Sequence, residues 1–242
     1  MKPSPALFGV AAFAAGCCGM CNETTRSENV RTEGLAADIT IGARSARETS
    51  VSARLRVGGP LSNLYPEIAG GDRLEAVNGA GTVALTLTKP LFGAMTYDGV
   101  LPGDSGGRAV AVRFLRATNT SALGTHVDMP ASFAVTSPAE DERFSAAQPS
   151  LVVTWAPPGR GSLAWSLRGA CILDQHGGVP DDRGQLPLVL AAAPTADGGP
   201  PMGCKVTLVL ERAARGVVDP AFGEGGSISA TQTRERSVWF AP

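Results

Sequence analysis

Alternation with a period of two runs through most of this chain. In Val51-Ser52-Ala53-Arg54-Leu55-Arg56-Val57 every second residue is apolar and the others are polar or charged. Thr82-Val83-Ala84-Leu85-Thr86-Leu87-Thr88, Leu151-Val152-Val153-Thr154-Trp155 and Lys205-Val206-Thr207-Leu208-Val209-Leu210-Glu211 repeat the pattern. Successive side chains of a strand point to opposite faces, so each run can bury one face and wet the other. Turn residues separate the runs: Gly58-Gly59-Pro60, Asn78-Gly79, Pro102-Gly103-Asp104, Pro157-Pro158-Gly159 and Asp197-Gly198-Gly199-Pro200. Gly (30) and Pro (18) take about a fifth of the 242 residues, against roughly 12% on average, which excludes a helical bundle. Beyond the N-terminus, Ala139 to Ala147 is the one stretch expected to form a helical turn or two. The spacing predicts an all-β chain built from sandwiches. Lys and Arg (21) nearly balance Asp and Glu (22), so no net field draws the chain to nucleic acid.

Residues 35–129 and 130–242 each have the length of one sandwich of about 100 residues, with a boundary near Met129-Pro130-Ala131. The second block opens with Phe133-Ala134-Val135-Thr136-Ser137-Pro138. A Val153-Thr154-Trp155 strand ending at Pro157 follows. This block resembles immunoglobulin-like and fibronectin-type modules, and the resemblance implies two such sandwiches in tandem. A single sandwich or barrel of about 200 residues is the alternative.

The N-terminus reads as an address. Lys2 precedes an apolar run from Ala6 to Ala15, too short for a bilayer, which needs about 20 residues. The run ends in Ala14-Ala15-Gly16-Cys17, which resembles the lipobox of bacterial lipoproteins. That resemblance implies a signal peptide over 1–16, thioether lipidation of Cys17, and acylation of its new amine by a palmitate-type chain. The membrane lipid is then a partner, and the localisation is the bacterial cell envelope, on the periplasmic or surface face of an outer membrane. Residues 17–34 are polar and aperiodic and are expected to form a flexible tether.

The cysteines number 5. Assigning Cys17 to lipid leaves an even number. Cys171 and Cys204 each lie in a strand-like segment, and a disulfide between them is expected, worth about 3–4 kcal/mol. Cys18 and Cys21 have C-x-x-C spacing but sit beside the lipid ahead of a polar stretch, and are read as incidental.

Gly103-Asp104-Ser105-Gly106-Gly107 resembles the catalytic-serine motif of trypsin-like proteases. In that family the histidine precedes the serine, whereas His126 and His176 both follow Ser105. The same residues satisfy the G-x-S-x-G elbow of α/β-hydrolases, with Asp128 or Asp174 as acid and His176 as base. The elbow needs a helix after it, and Arg108 to Phe114 alternates like a strand. The motif is read as a Gly-rich turn. Gly216 to Gly226 resembles one copy of a β-propeller-type repeat and is read as a turn-rich link plugged by Phe222, with Asp219 and Glu224 as weak calcium candidates. Trp155, Trp165 and Trp239 are expected to anchor cores, one of them against the disulfide.

The chain as a whole resembles bacterial envelope lipoproteins with small β-sandwich domains. The expected role is non-enzymatic: binding or structural, toward an envelope protein or a glycan. No catalytic residue, metal site or cofactor is assigned. The alternatives are a serine hydrolase using Ser105 and His176, and a carbohydrate-binding accessory module.

Overall fold

The computed structural model describes residues 23–90, 94–194 and 203–241, and strands dominate it. The signal segment, Cys17, Cys18, Cys21 and the Asp197-Gly198-Gly199-Pro200 turn lie outside the described residues. The first strands are β1 (Glu23–Arg26), β2 (Leu35–Ala43), β3 (Glu48–Val57), β4 (Leu64–Glu67) and β5 (Arg73–Asn78). Next come β6 (Gly81–Ala84), β7 (Thr86–Thr88), β8 (Thr96–Pro102), β9 (Ala109–Leu115) and β10 (Ala122–Asp128). The chain continues with β11 (Ala134–Ser137), β12 (Glu142–Ser145), β13 (Ser150–Ala156) and β14 (Leu163–Arg168). It ends with β15 (Gln175–Val179), β16 (Gln185–Val189), β17 (Cys204–Arg215) and β18 (Gly226–Ala241).

The alternating runs became strands because each could bury one face. The Thr82–Thr88 run is broken at Leu85, whose N–H donates to Leu74 O at 2.8 Å and whose side chain is buried. β6 therefore joins one sheet beside β5 while β7 joins another beside β8. The stretch expected to be helical is extended instead. β12 lies parallel to the end of β18, with Phe144 opposite Phe240. A helix there would have taken Phe144 off the second core, against which it packs.

Two apolar cores result. The first lies between the sheet β10-β9-β5-β6 and the β2, β3, β8, β7 region of the large sheet. It holds Ile39, Leu55, Leu101, Val112 and Phe114. The second lies between β11-β13-β16 and β15-β14-β17-β18, a three-on-four sandwich of the immunoglobulin and fibronectin kind. It holds Leu151, Trp155, Leu167, Leu208 and Phe240. The change of core falls between Met129 and Phe133.

The block 130–242 does not all belong to the second core. Phe222, Ile228 and Ala230 pack in the first, and Phe222 stacks on Phe114 with ring centroids 6.3 Å apart. The reason is length: β17 spans 12 residues and β18 spans 16, more than one sandwich needs. Their far end runs into the first sandwich, where β18 pairs in parallel with β2 from Gly226↔Ala37 to Gln232↔Ala43.

The expected tether is also corrected. From Glu23 to Gly34 the chain is docked: β1 pairs in parallel with β4, and two short 3-10 turns follow at Ser27–Asn29 and Thr32–Gly34. The cause is a buried ion pair. Arg116 Nε donates to Asp72 Oδ2 at 2.8 Å, and both side chains are sealed from solvent. A buried guanidinium must find partners for its remaining N–H groups. The N-terminal segment supplies them: Ser27 O at 2.8 Å, Val30 O at 2.9 Å and Thr32 Oγ1 at 3.0 Å. Ser27 Oγ returns a hydrogen bond to Asp72 at 2.8 Å.

Candidate functional site

The site begins with the phase of two strands. Along β18 one face reads Ile228, Ala230, Gln232, Arg234, Arg236, Val238, Phe240. The apolar residues at its two ends belong to the two cores. The three polar residues stand in the same register where the cores part. β17 does the same with Val206, Leu208 and Leu210, then buried Arg212, then Ala214. Arg212 lies directly opposite Gln232, and Leu210 opposite Arg234. β18 has β2 beside it up to Gln232 and β12 beside it only from Val238. Arginine side chains bridge the interval.

Arg212 makes a buried ion pair with Asp182, Nε to Oδ2 at 2.6 Å, and donates to Ala131 O at 2.8 Å and Pro157 O at 2.7 Å. Trp155 Nε1 donates to the other Asp182 oxygen at 2.6 Å. Burial pushes the Asp182 carboxyl upward. The hydrogen bonds from Arg212, Trp155 and the Gly159 N–H outweigh that and hold it below its ordinary range. Arg234 donates to Phe133 O at 2.8 Å and Ala43 O at 3.1 Å, and lies 3.5 Å from Asp104 Oδ2. The Phe133 ring has the Arg212 guanidinium 4.3 Å from its centroid and that of Arg234 at 5.4 Å. Arg236 donates to Val135 O at 2.8 Å.

The Gly103–Gly107 loop belongs to this seam. It joins β8 to β9, strand to strand, with Ser105 at φ 52° and Gly103 and Gly107 at 74° and 68°. Asp104 accepts from Gly106 N at 3.1 Å and from the Ser132 hydroxyl, and its carbonyl accepts from Gln232 Nε2 at 2.9 Å. Ser105 is buried, its Oγ accepting from Asn78 Nδ2 at 2.9 Å and lying 3.1 Å from Thr49 Oγ1. Among the described residues, no histidine is a hydrogen-bond partner of Ser105. His126 lies in β10, its ring Nδ1 2.8 Å from Gly124 O, and His176 lies in β15 opposite Ser166. The turn expected for this motif is present, and the loop it forms fastens two cores together. His176 is in an edge strand of the large sheet.

A cleft of about 710 Å³ opens at the seam, lined by Asp128, Pro130, Arg160, Ser162 and Arg212 among others. Among the described residues no group of three or more His, Cys, Asp or Glu is placed to hold a metal. Asp219 accepts from the backbone N–H of Ala221 at 2.8 Å and from that of Gly124 at 2.5 Å, which is a turn-capping role.

Cys171 and Cys204 form a disulfide, with Cα atoms 5.7 Å apart. Cys204 opens β17 as expected, whereas Cys171 sits in a turn after β14. Trp155 is buried, Trp165 is half-buried against the second core, and Trp239 is exposed. Sequence reasoning missed Arg212, Gln232, Arg234 and Asp182. The available signal was polar residues in core phase on the two longest strands.

No protein-family model matches the chain, and no curated protein matches it. Solved structures similar to it include a two-domain fibronectin type-III segment of chicken tenascin. Identity is 13%, coverage is 85% of this chain and 98% of that one, and the TM-score is 0.24. A pair of immunoglobulin domains from DIP-gamma shares 9% identity over 85% of this chain and 97% of that one, TM-score 0.22. Salmonella α-2-macroglobulin shares 16% identity over 87% of this chain and 15% of that one, TM-score 0.24. The assignment to the all-β sandwich class rests on the strand pairing described above.

Proposed function

We propose that this protein is a lipid-anchored lipoprotein of the bacterial cell envelope with a non-enzymatic binding or structural role. The observation that carries this reading is the seam. Of the polar residues that resemble chemistry, Asp104 is spent on joining two β cores, through Ser132, Gln232 and Arg234, and Ser105 is spent on Thr49 and Asn78 of the first sandwich. Serine hydrolysis needs a base to take the serine proton. At Ser105 the neighbouring groups are an amide and a hydroxyl. Two sandwiches spliced by one hairpin suit a rigid presenter of surfaces. The Cys17 anchor adds attachment, and several acyl chains hold where one gives only marginal binding.

In-cell cross-linking of the full-length chain, followed by mass spectrometry, tests the role. A recurrent envelope protein or glycan conjugate is the expected result. Metabolic labelling with an alkynyl fatty acid tests the anchor, with label expected on the native chain and lost in Cys17→Ala. Saturable labelling by a fluorophosphonate that disappears in Ser105→Ala would overturn the non-enzymatic reading.

A further inference from the structure

We infer that the outward face around Trp239 is a binding platform for an acidic saccharide of the uronic-acid type. This rests on the binding reading above and names its ligand class. Val238 and Phe240 turn into the second core, so Trp239 between them turns outward, with 39% of its surface exposed. A large aromatic on the solvent face of a sheet gains nothing from the core behind it. It offers a flat apolar surface with an N–H at its edge. The indole lies over the Gly203 backbone, where a Cβ would stand 3.1 Å from its Nε1.

The neighbours of Trp239 give the platform its charge. Strand register sets Arg143 of β12 on one side of Trp239 and Lys205 of β17 on the other. One row further along, Ser237 stands opposite Thr207, and Thr207 opposite Arg168. Lys205 pairs with Asp141 at 3.0 Å. Arg143 and Arg168 are exposed and form no ion pair among the described residues. The acids nearest this face are Asp141, paired with Lys205, Glu140, paired with Arg236, and Glu235, one row beyond Ser237, which leaves Arg143 as the unpaired cation directly beside the indole. A pyranose ring can lie on the indole, its hydroxyls within the Thr207–Ser237 row. A guanidinium takes a carboxylate in two parallel hydrogen bonds. Tryptophan and arginine are also the residues that most often dominate binding energy at an interface.

The test is calorimetric titration of the full-length protein with hexagalacturonate, with maltohexaose as the neutral control and poly-glutamate as the acidic peptide control. Saturable binding of hexagalacturonate is expected, about tenfold or more weaker for maltohexaose, and weakening as salt rises. Trp239→Ala should abolish it. Arg143→Gln with Arg168→Gln, which leaves both cores intact, should weaken it about tenfold. Tryptophan fluorescence of the native chain should shift on binding, and a thermal melt of each variant checks its fold. No binding, or equal binding of maltohexaose, overturns the inference, and tighter binding of poly-glutamate overturns it in favour of an acidic protein partner. The cross-linking result is independent of these titrations, so the platform can fail while the envelope reading stands.

Discussion

Buried arginines set the properties of this protein at the residue scale. Arg116 and Arg212 are each sealed against one aspartate, and each spends its other N–H groups on carbonyls or a hydroxyl of distant segments. Removing one partner of such a pair strands the other charge, which typically costs about 3–5 kcal/mol. Arg116→Met is therefore expected to lower the unfolding free energy by about that amount in urea titrations. It should also expose residues 23–34 to limited proteolysis, because the carbonyls of Ser27 and Val30 lose their donor. Asp182 gives a pH-dependent counterpart. Its pKa is lowered from 3.8 in the folded chain, so its contribution is complete above the unfolded value and is lost as pH falls through the folded one. Unfolding free energy should decline below about pH 4. In Asp182→Asn that part of the decline should vanish, with about 3–5 kcal/mol already missing at pH 7.

Strands are the elements, and most were legible. The runs at Val51–Val57, Leu151–Trp155 and Lys205–Glu211 alternate because one face is buried, and they became β3, β13 and β17. The misreadings have particular causes. Ala139–Ala147 contains residues that suit a helical turn, but Phe144 is held by the partner strand β18, far away in sequence. The polar stretch 23–34 has no alternation because carbonyls and small hydroxyls, and not apolar side chains, fasten it to Arg116. At the start of β18, Gly226 has φ 134°, and a Cβ there would fall 2.0 Å from Ala37 O. Only glycine allows β18 to enter beside β2 at that point. Gly226→Val should cost more than about 3 kcal/mol in thermal melts, and hydrogen exchange should rise in β2 well before β13.

For the whole molecule the question is how two cores behave as one. The β17–β18 hairpin crosses between them, and Arg212, Gln232 and Arg234 tie it to Ala131 and Phe133 ahead of β11, to the Gly103–Gly107 loop and to Asp182. The native chain is expected to unfold in a single calorimetric transition. Asp104→Ala with Arg234→Ala removes the Asp104 side of the seam and takes the Arg234 guanidinium off Phe133, at the edge of the second core. Two resolved transitions are the expected outcome. One unchanged transition would mean that the hairpin alone couples the cores.

Local alternation and turn residues determined the all-β class, most strand positions and the turn at Gly103–Gly107, because burial of one face of a strand is written in adjacent residues. Cysteine parity and strand-like context pointed to the Cys171–Cys204 bridge. Pairing between distant segments is not written that way, since any alternating strand can lie beside any other. It took the folded chain to place the far end of β17 and β18 in the first core, to dock residues 23–34, and to turn Trp239 outward while Trp155 turned in. Asp104 and Arg234 have meaning only together, and nothing in the residues beside either one announces the other.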